Sequence, residues 1–423
     1  MQATRQYAQQ ADANDTLRSF RQAFYFPQFK GRDVLYFCGN SLGLQPKTAL
    51  SYLMQEMEDW KNLGVEGHFQ GRNPWFEYHK FVSPKAARLV GAKEVEVVVM
   101  NNLTVNLHLM LISFYRPTAQ RYKIMVEGGA FPSDYYAVES QLRLHGFSPE
   151  TAMVELEPRA GEHTLRTEDI LAAIEKEGDS LALVLLGGVN YYTGQFFDLK
   201  RITEKAHQVG AKAGYDLAHA AGNVPLSLHE WQVDFAVWCT YKYLNSGAGG
   251  TSGVFVHEKY AQDPTLHRLA GWWGYDESKR FQMQKGFIPM QGAAGWQLSN
   301  AQILPMALHW ASLEIFEQAG MDRLRQKSLA LTAYTEFLVQ QFNQEQDKIR
   351  IQIITPAEKE ARGCQLSLVV AQKGKDLHQF LTENGVIADW REPDVIRIAP
   401  VPLYNSFEDV YDFYQLLQQY TQS

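Results

Sequence analysis

Cysteine is scarce: three residues in 423 cannot build a disulfide framework, and Cys38, Cys239 and Cys364 show no metal-ligand spacing. Their settings, FCGN, VWCTY and RGCQLSLVV, suggest buried thiols that behave as small hydrophobes. Long apolar runs are missing too, since nothing approaches the roughly 18–20 residues that span a bilayer. The start, MQATRQYAQQADANDTL, lacks the apolar core of a signal peptide, so a cytoplasmic location is the expectation. There is no excess of positive charge. With 40 basic against 47 acidic side chains and a net charge of −7, the chain offers little to nucleic acid or to an anionic membrane. Repeats, low-complexity tracts and charge blocks do not occur. What remains is an ordinary globular composition, 45% hydrophobic and 21% charged, in a chain long enough for two domains with substantial cores.

From Val95 onward, short apolar runs alternate with helical patterns. VEVVVM (95–100), YKIMVE (122–127), AMVELE (152–157) and LALVLL (181–186) read as strands. Helices are expected from Val105, near 132–143, near 167–177 and near 198–209. Ala211–Tyr215 and Val233–Cys239 follow as two more buried strands, and TSGVFVH (251–257) closes the series. This rhythm predicts an α/β fold, a mostly parallel seven-stranded sheet flanked by helices. Residues 1–50 read as an N-terminal arm and 51–317 as the large domain. Residues 318–423 read as a smaller α+β domain on which the arm packs. The segment GVEGHFQGRNPW (64–75) has no period, and its His68, Arg72 and Trp75 suit a ligand-contacting loop.

In open α/β sheets ligands sit beyond the carboxyl ends of the strands. Asp216 ends one strand, and Tyr241–Lys242 follow the next, so both belong to one crevice. A carboxylate and a lysine so placed suit pyridoxal phosphate: the lysine takes its aldehyde as a Schiff base and the acid keeps the pyridine nitrogen protonated. Asn101–Thr104 lead from a strand into a helix whose free N–H groups suit a phosphate. Taken singly, Thr104 is better explained as a helix cap; the strand before it and the lysine–acid pair elsewhere make the phosphate role the better one. Glu127–Asp134 repeats the design, with Pro132 at a first helical position, Phe131 able to stack on a flat ring and Asp134 a cap or a cofactor contact. His219 could support the acid or the ring. Arg397, in VIRIAPVPLYNS, could grip a carboxylate with two parallel hydrogen bonds; a surface ion pair is its plainer explanation.

FCGNSLGLQPK, MNNLTVNLHL, FPSD, YDLAHAAGN, TYKYLNSGAGG, GWWGY, RGCQLSL and IRIAPVPLYNSFEDV, spread over residues 37–412, together resemble the kynureninases. These are pyridoxal-phosphate enzymes of the large aspartate-aminotransferase fold group, fold type I. The resemblance implies hydrolytic cleavage of kynurenine or 3-hydroxykynurenine to an anthranilate and alanine by a homodimer. It implies that Lys242 and Tyr241 are catalytic. Cofactor binding would fall to Leu103, Thr104, Phe131, Pro132, Ser133, Asp134, Asp216, His219, Tyr241, Lys242, Trp272 and Asn300, some of them from the neighbouring subunit. Arg397 and Ser41 would meet the substrate. His68 and Asn300 would meet a 3-hydroxyl on its ring. No metal is expected. The chain departs from the family pattern at Tyr275, where His is common, and at Gly187, where many relatives carry a hydroxyl residue. The rival within the fold group is a class V enzyme such as a cysteine desulfurase, with Cys364 as its reactive thiol. A non-catalytic scaffold is a further rival, and it would be expected to have lost Lys242, Asp216 or Arg397.

Overall fold

The computed structural model describes residues 1–261, 263 and 265–422. Its centre is a seven-stranded sheet built from β1 (Val97–Met100), β2 (Lys123–Glu127), β3 (Met153–Leu156), β4 (Leu181–Gly187), β5 (Lys212–Asp216), β6 (Phe235–Cys239) and β7 (Ser252–Val256). The spatial order is β1-β7-β6-β5-β4-β2-β3. All pairings are parallel except those of β7, which runs antiparallel to both neighbours. The loop from Thr240 to Thr251 turns back at the edge where β6 ends, so the next strand must run the other way. A parallel return would need a crossover to the opposite edge.

The strands are apolar throughout because helices cover both faces. Side chains alternate between two cores. Val97, Val99, Val184, Leu186, Ala236 and Trp238 point into one; Val98, Met100, Leu183, Leu185, Phe235 and Val237 point into the other. The helices Leu103–Phe114 and Pro132–Leu144 start directly above the ends of β1 and β2.

A second sheet, with order β8-β9-β11-β10, is antiparallel and four-stranded: β8 (Ile351–Ile353), β9 (Leu366–Val370), β10 (Asp389–Arg391) and β11 (Val395–Ile398). The helices Met321–Glu345 and Phe407–Gln422 pack on it around a third core that includes Phe37 and Ala8 of the N-terminal segment. That segment also lends Leu35–Tyr36 to a short parallel pairing with Val386–Ile387. Among the described residues, no helix is long and apolar enough to cross a membrane.

Candidate active site

Because β2, β4, β5 and β6 are parallel neighbours, their carboxyl ends share one edge, and Glu127, Gly187, Asp216 and the segment after Cys239 meet there. Asp216 lies opposite Gly187 on one side and Val237 on the other. Above this edge is a cavity of about 340 Å³, lined among others by Leu103, Thr104, Phe131, Ser133, Asp134, Asp216, His219, Tyr241 and Lys242. Nine of the expected site residues, separated widely in the chain, therefore line one space.

The Lys242 ammonium is 2.9 Å from His219 Nε2 and 5.7 Å from the centre of the Phe131 ring. Burial, then the lysine charge, holds the imidazole well below its ordinary pKa. Nε2 thus accepts from the ammonium, and the ring proton sits on Nδ1, a buried atom without a hydrogen-bond partner among the described residues. Asp216 Oδ1 accepts from the Ala218 N–H at 2.7 Å, and its carboxyl is hydrogen-bonded to that of Asp134. Burial raises both acids, more than Lys242 lowers them. Asp134 is raised further by the charge of Asp216 beside it. Two carboxyl groups in contact share a proton.

At Thr104 and Ser133 two helix starts come together: Thr104 Oγ1 and Ser133 Oγ are 2.9 Å apart. Asn102 caps the first helix through the Val105 N–H, and Pro132 opens the second. Burial keeps the Tyr241 phenol protonated, far above its ordinary value.

The donor set fits pyridoxal phosphate. Two helix N-termini with hydroxyls suit its phosphate, and the half-exposed Phe131 ring suits its flat face. The acid pair, raised by burial, suits its pyridine nitrogen.

Other expected residues lie outside this cavity. Arg397 is almost fully buried and reaches the site through Tyr191, donating from Nη1 to the Tyr191 carbonyl at 2.5 Å. The Tyr191 ring in turn meets Phe131 with centroids 5.3 Å apart. Ser41, at 3.3 Å from Arg397 Nη2, donates to Asp389 at 2.6 Å. The N-terminal segment is held there by the Gly43 N–H, which bonds the Tyr241 carbonyl at 2.9 Å. A Cβ at Gly43 would collide with the Lys242 carbonyl. His68 bonds the Val65 carbonyl at 3.0 Å and packs edge-on against Trp75. Trp272 lines a separate cavity, and Asn300 is exposed.

Sequence reasoning passed over Glu127, Tyr191 and Asp389. Glu127 ends an apolar strand as Asp216 does, and that parallel could have singled it out. It lines the cavity, and burial, then Asp216, pushes it up to about 7. Its Oε2 has no partner among the described residues. Its Oε1 stands 3.0 Å from where a Cβ at Gly187 would be, so glycine leaves that carboxyl room. Cys364 is fully buried, and burial pushes its thiol up to about 12. It is no nucleophile.

Comparison with known proteins agrees with this chemistry. A family model, the kynureninase C-terminal domain, matches residues 324–417. The chain is 54% identical over 418 residues to a kynureninase of Flavobacterium psychrophilum, covering 99% of this chain and 98% of that one. It is 56% identical over 413 residues to a kynureninase of Myxococcus xanthus, covering 97% and 96%. Solved structures share the fold. The cysteine desulfurase CsdA of Escherichia coli superposes with a TM-score of 0.76 at 16% identity, covering 96% of this chain and 98% of that one. A C-DES mutant with glycine covalently linked to its PLP cofactor gives 0.73 at 16% identity, covering 91% and 96%. The desulfurases share only the architecture, whereas the relatives that share the residues share them from end to end: the chain belongs to the kynureninase family.

Proposed function

We propose that the chain is a pyridoxal-phosphate-dependent kynureninase. It hydrolyses the Cβ–Cγ bond of L-kynurenine or its 3-hydroxy form to anthranilate or 3-hydroxyanthranilate and L-alanine. The observation that carries this reading is the presence of Lys242 and the Asp216–Asp134 pair in one cavity, in a chain 54% identical to a kynureninase over nearly its whole length.

When bound, the cofactor supplies an electron-accepting ring that makes a Cα proton removable and a bond to a γ-carbonyl carbon cleavable by water. Lys242 would hold the aldehyde carbon, and its Nζ would be the group that moves the Cα proton. Neutral His219 keeps that nitrogen aimed through Nε2. Asp216 presents its carboxylate to the pyridine nitrogen, with Asp134 as its proton-sharing neighbour. Phe131 would cover the ring and Leu103 would wall it, while Thr104 and Ser133, with the N–H groups of the helix that Pro132 opens, would hold the phosphate. Tyr241 Oη, kept protonated by burial, supplies a proton during cleavage. Arg397 and Ser41 bind the α-carboxylate end.

A homodimer completes the reading. Leu50, Met54, Met57 and Trp60 form an exposed apolar stripe along the helix Ala49–Leu63, beside an apolar hollow of about 530 Å³ lined by Tyr25, Leu53 and Leu308. Trp272, Phe281 and Met283 are exposed as well. A second copy covers such a surface at the least cost. In that arrangement His68, Trp272 and Asn300 serve the neighbouring cavity. His68 and Asn300 there meet a ring hydroxyl, and a site built for that bond discriminates strongly. The enzyme then works in the cytoplasm, in tryptophan catabolism and NAD biosynthesis.

Incubation of the purified enzyme with each kynurenine, followed by assay of the aromatic acid and alanine, tests the activity. Release of neither product overturns it. Comparing kcat/KM for the two substrates tests His68 and Asn300, and a large preference for plain kynurenine removes their role.

A further inference from the structure

Arg397 already holds a carboxylate. Asp389 and Arg397 stand opposite each other on the antiparallel strands β10 and β11, and Arg397 Nη2 donates to Asp389 Oδ2. The same oxygen accepts from Ser41 Oγ at 2.6 Å and from Arg391 Nη2 at 3.1 Å. Two guanidinium groups thus converge on one carboxylate, leaving an excess of one positive charge. The Nε atoms of both arginines are buried and lack hydrogen-bond partners among the described residues. Arg397 is sealed in, with 1% of its side chain exposed, while Arg391 keeps 38% at the rim. A cluster with one anion too few, and with buried donors to spare, is built to admit a second carboxylate.

We propose that Asp389 is the resident counter-ion of the substrate-carboxylate site: it holds Arg397 until the α-carboxylate of the amino acid arrives, and then passes to Arg391. This rests on Arg397 being the carboxylate-binding arginine. Asp389 and Arg391 thereby act as positioning residues that set the affinity for the amino-acid end of both substrate and product. The exchange never leaves a guanidinium or a carboxylate buried alone, which would be costly. Ser41, which donates to Asp389, stays with that carboxylate as it passes to Arg391.

Steady-state kinetics of the holoenzyme test this through variants expected to act in opposite directions. In Asp389→Asn, KM for kynurenine and the inhibition constant of L-alanine both fall, roughly three- to tenfold, the scale of one exchanged hydrogen bond. Its kcat does not rise, because alanine carries the same carboxylate and leaves more slowly. In Arg391→Gln, where Asp389 has nowhere to go, both constants rise by a similar factor. The decarboxylated amine analogue of kynurenine, used as an inhibitor, binds all three proteins alike. A rise or no change in Asp389→Asn, a fall or no change in Arg391→Gln, or an equal shift for the decarboxylated analogue overturns the proposal. Arg397→Gln separates the two layers. If it raises KM steeply while Asp389→Asn fails the test, the carboxylate reading of Arg397 stands and the counter-ion is lost. If Arg397→Gln leaves KM unchanged, the reading beneath the proposal falls with it.

Discussion

Asp216 and Asp234 are buried aspartates at the ends of adjacent strands, but at opposite edges of the sheet. Asp216 closes β5, and Asp234 directly precedes β6. Asp234 accepts from His207 Nε2 at 2.8 Å, from the Ala213 N–H at 2.8 Å and from the Tyr260 hydroxyl, and it forms an ion pair with Lys259 Nζ at 3.0 Å. Burial pushes it up, but His207, Lys259 and Tyr260 together pull it below its ordinary value. Asp216 has one backbone N–H and another acid for neighbours, with Lys242 its one cationic influence, and it stays raised. The same residue type at similar depth is a fastener where the fold supplies its partners. Where the fold withholds them, it waits for a cation from outside.

The sharpest way to break this contrast is to disarm each edge in turn. Lys242→Ala should abolish both product formation and the visible absorption of the bound cofactor. Asp216→Asn should cost about 10²–10³ in kcat and leave unfolding stability unchanged or slightly higher, since it removes an ill-compensated buried charge. Asp234→Asn should do the reverse. It should lose roughly 1.5–3 kcal/mol in urea unfolding, because His207, Lys259 and Tyr260 lose their charged partner, while kcat per folded molecule is kept. If both variants lost activity and stability together, the two edges would not differ in kind.

A pH series sharpens the contrast without touching either aspartate. Glu127 titrates at about 7 in the fold against an ordinary 4.5, so between these values the folded chain holds a proton that the unfolded chain has released. The stability that Glu127 contributes to the cofactor-free protein should therefore be fully present at the acid end of this window and lost as pH rises through it, by an amount on the order of 3 kcal/mol. Asp234 has the opposite sign. Its contribution is present above its ordinary 3.8 and is lost as pH falls toward its depressed folded value. In denaturant titrations from pH 4.5 to 7.5, Glu127→Gln should remove a downward contribution from the slope of stability against pH, leaving the opposite contributions of the buried imidazoles His79, His219 and His309 in place. An unchanged slope would mean that Glu127 is ionised throughout.

The sheet and its functional edge were legible because a buried parallel strand must be apolar along its length, and an acid or lysine just past its end stands out. The direction of β7 was not, since SGVFV reads the same either way and only the loop after Lys242 reverses it. Arg397 was legible as a carboxylate binder or as half of an ion pair. It does form an ion pair, though a buried one, and its partner Asp389 depends on a hairpin register that alternation alone leaves open. Glu127 was hidden by the Gly128-Gly129 turn that follows it, which drew the eye to the phosphate end. Trp272 and Asn300 came from family resemblance alone, and His68 from that and from its aperiodic, glycine-rich loop. Nothing within one chain brings them to the cavity, so no periodicity could have placed them.

The smallest expected effect concerns Cys364, at the junction between the sheet edge and β9. It is the residue on which a desulfurase reading would rest, and the solved structures that share the fold include desulfurases. A thiol that attacks must be exposed and partly ionised. Here burial pushes the thiol up to about 12, beside the Tyr243 hydroxyl, and the Cys364 N–H is tied to Asn223 Oδ1 at 2.9 Å. Replacing it by alanine removes one buried sulfur and leaves a cavity too small for water. Cys364→Ala should thus keep full kynurenine cleavage, release no sulfur from cysteine that the wild type does not, and lose only about 1 kcal/mol of stability. A large loss of activity with stability intact would put the reactive chemistry on the sulfur instead of on Lys242 and Asp216.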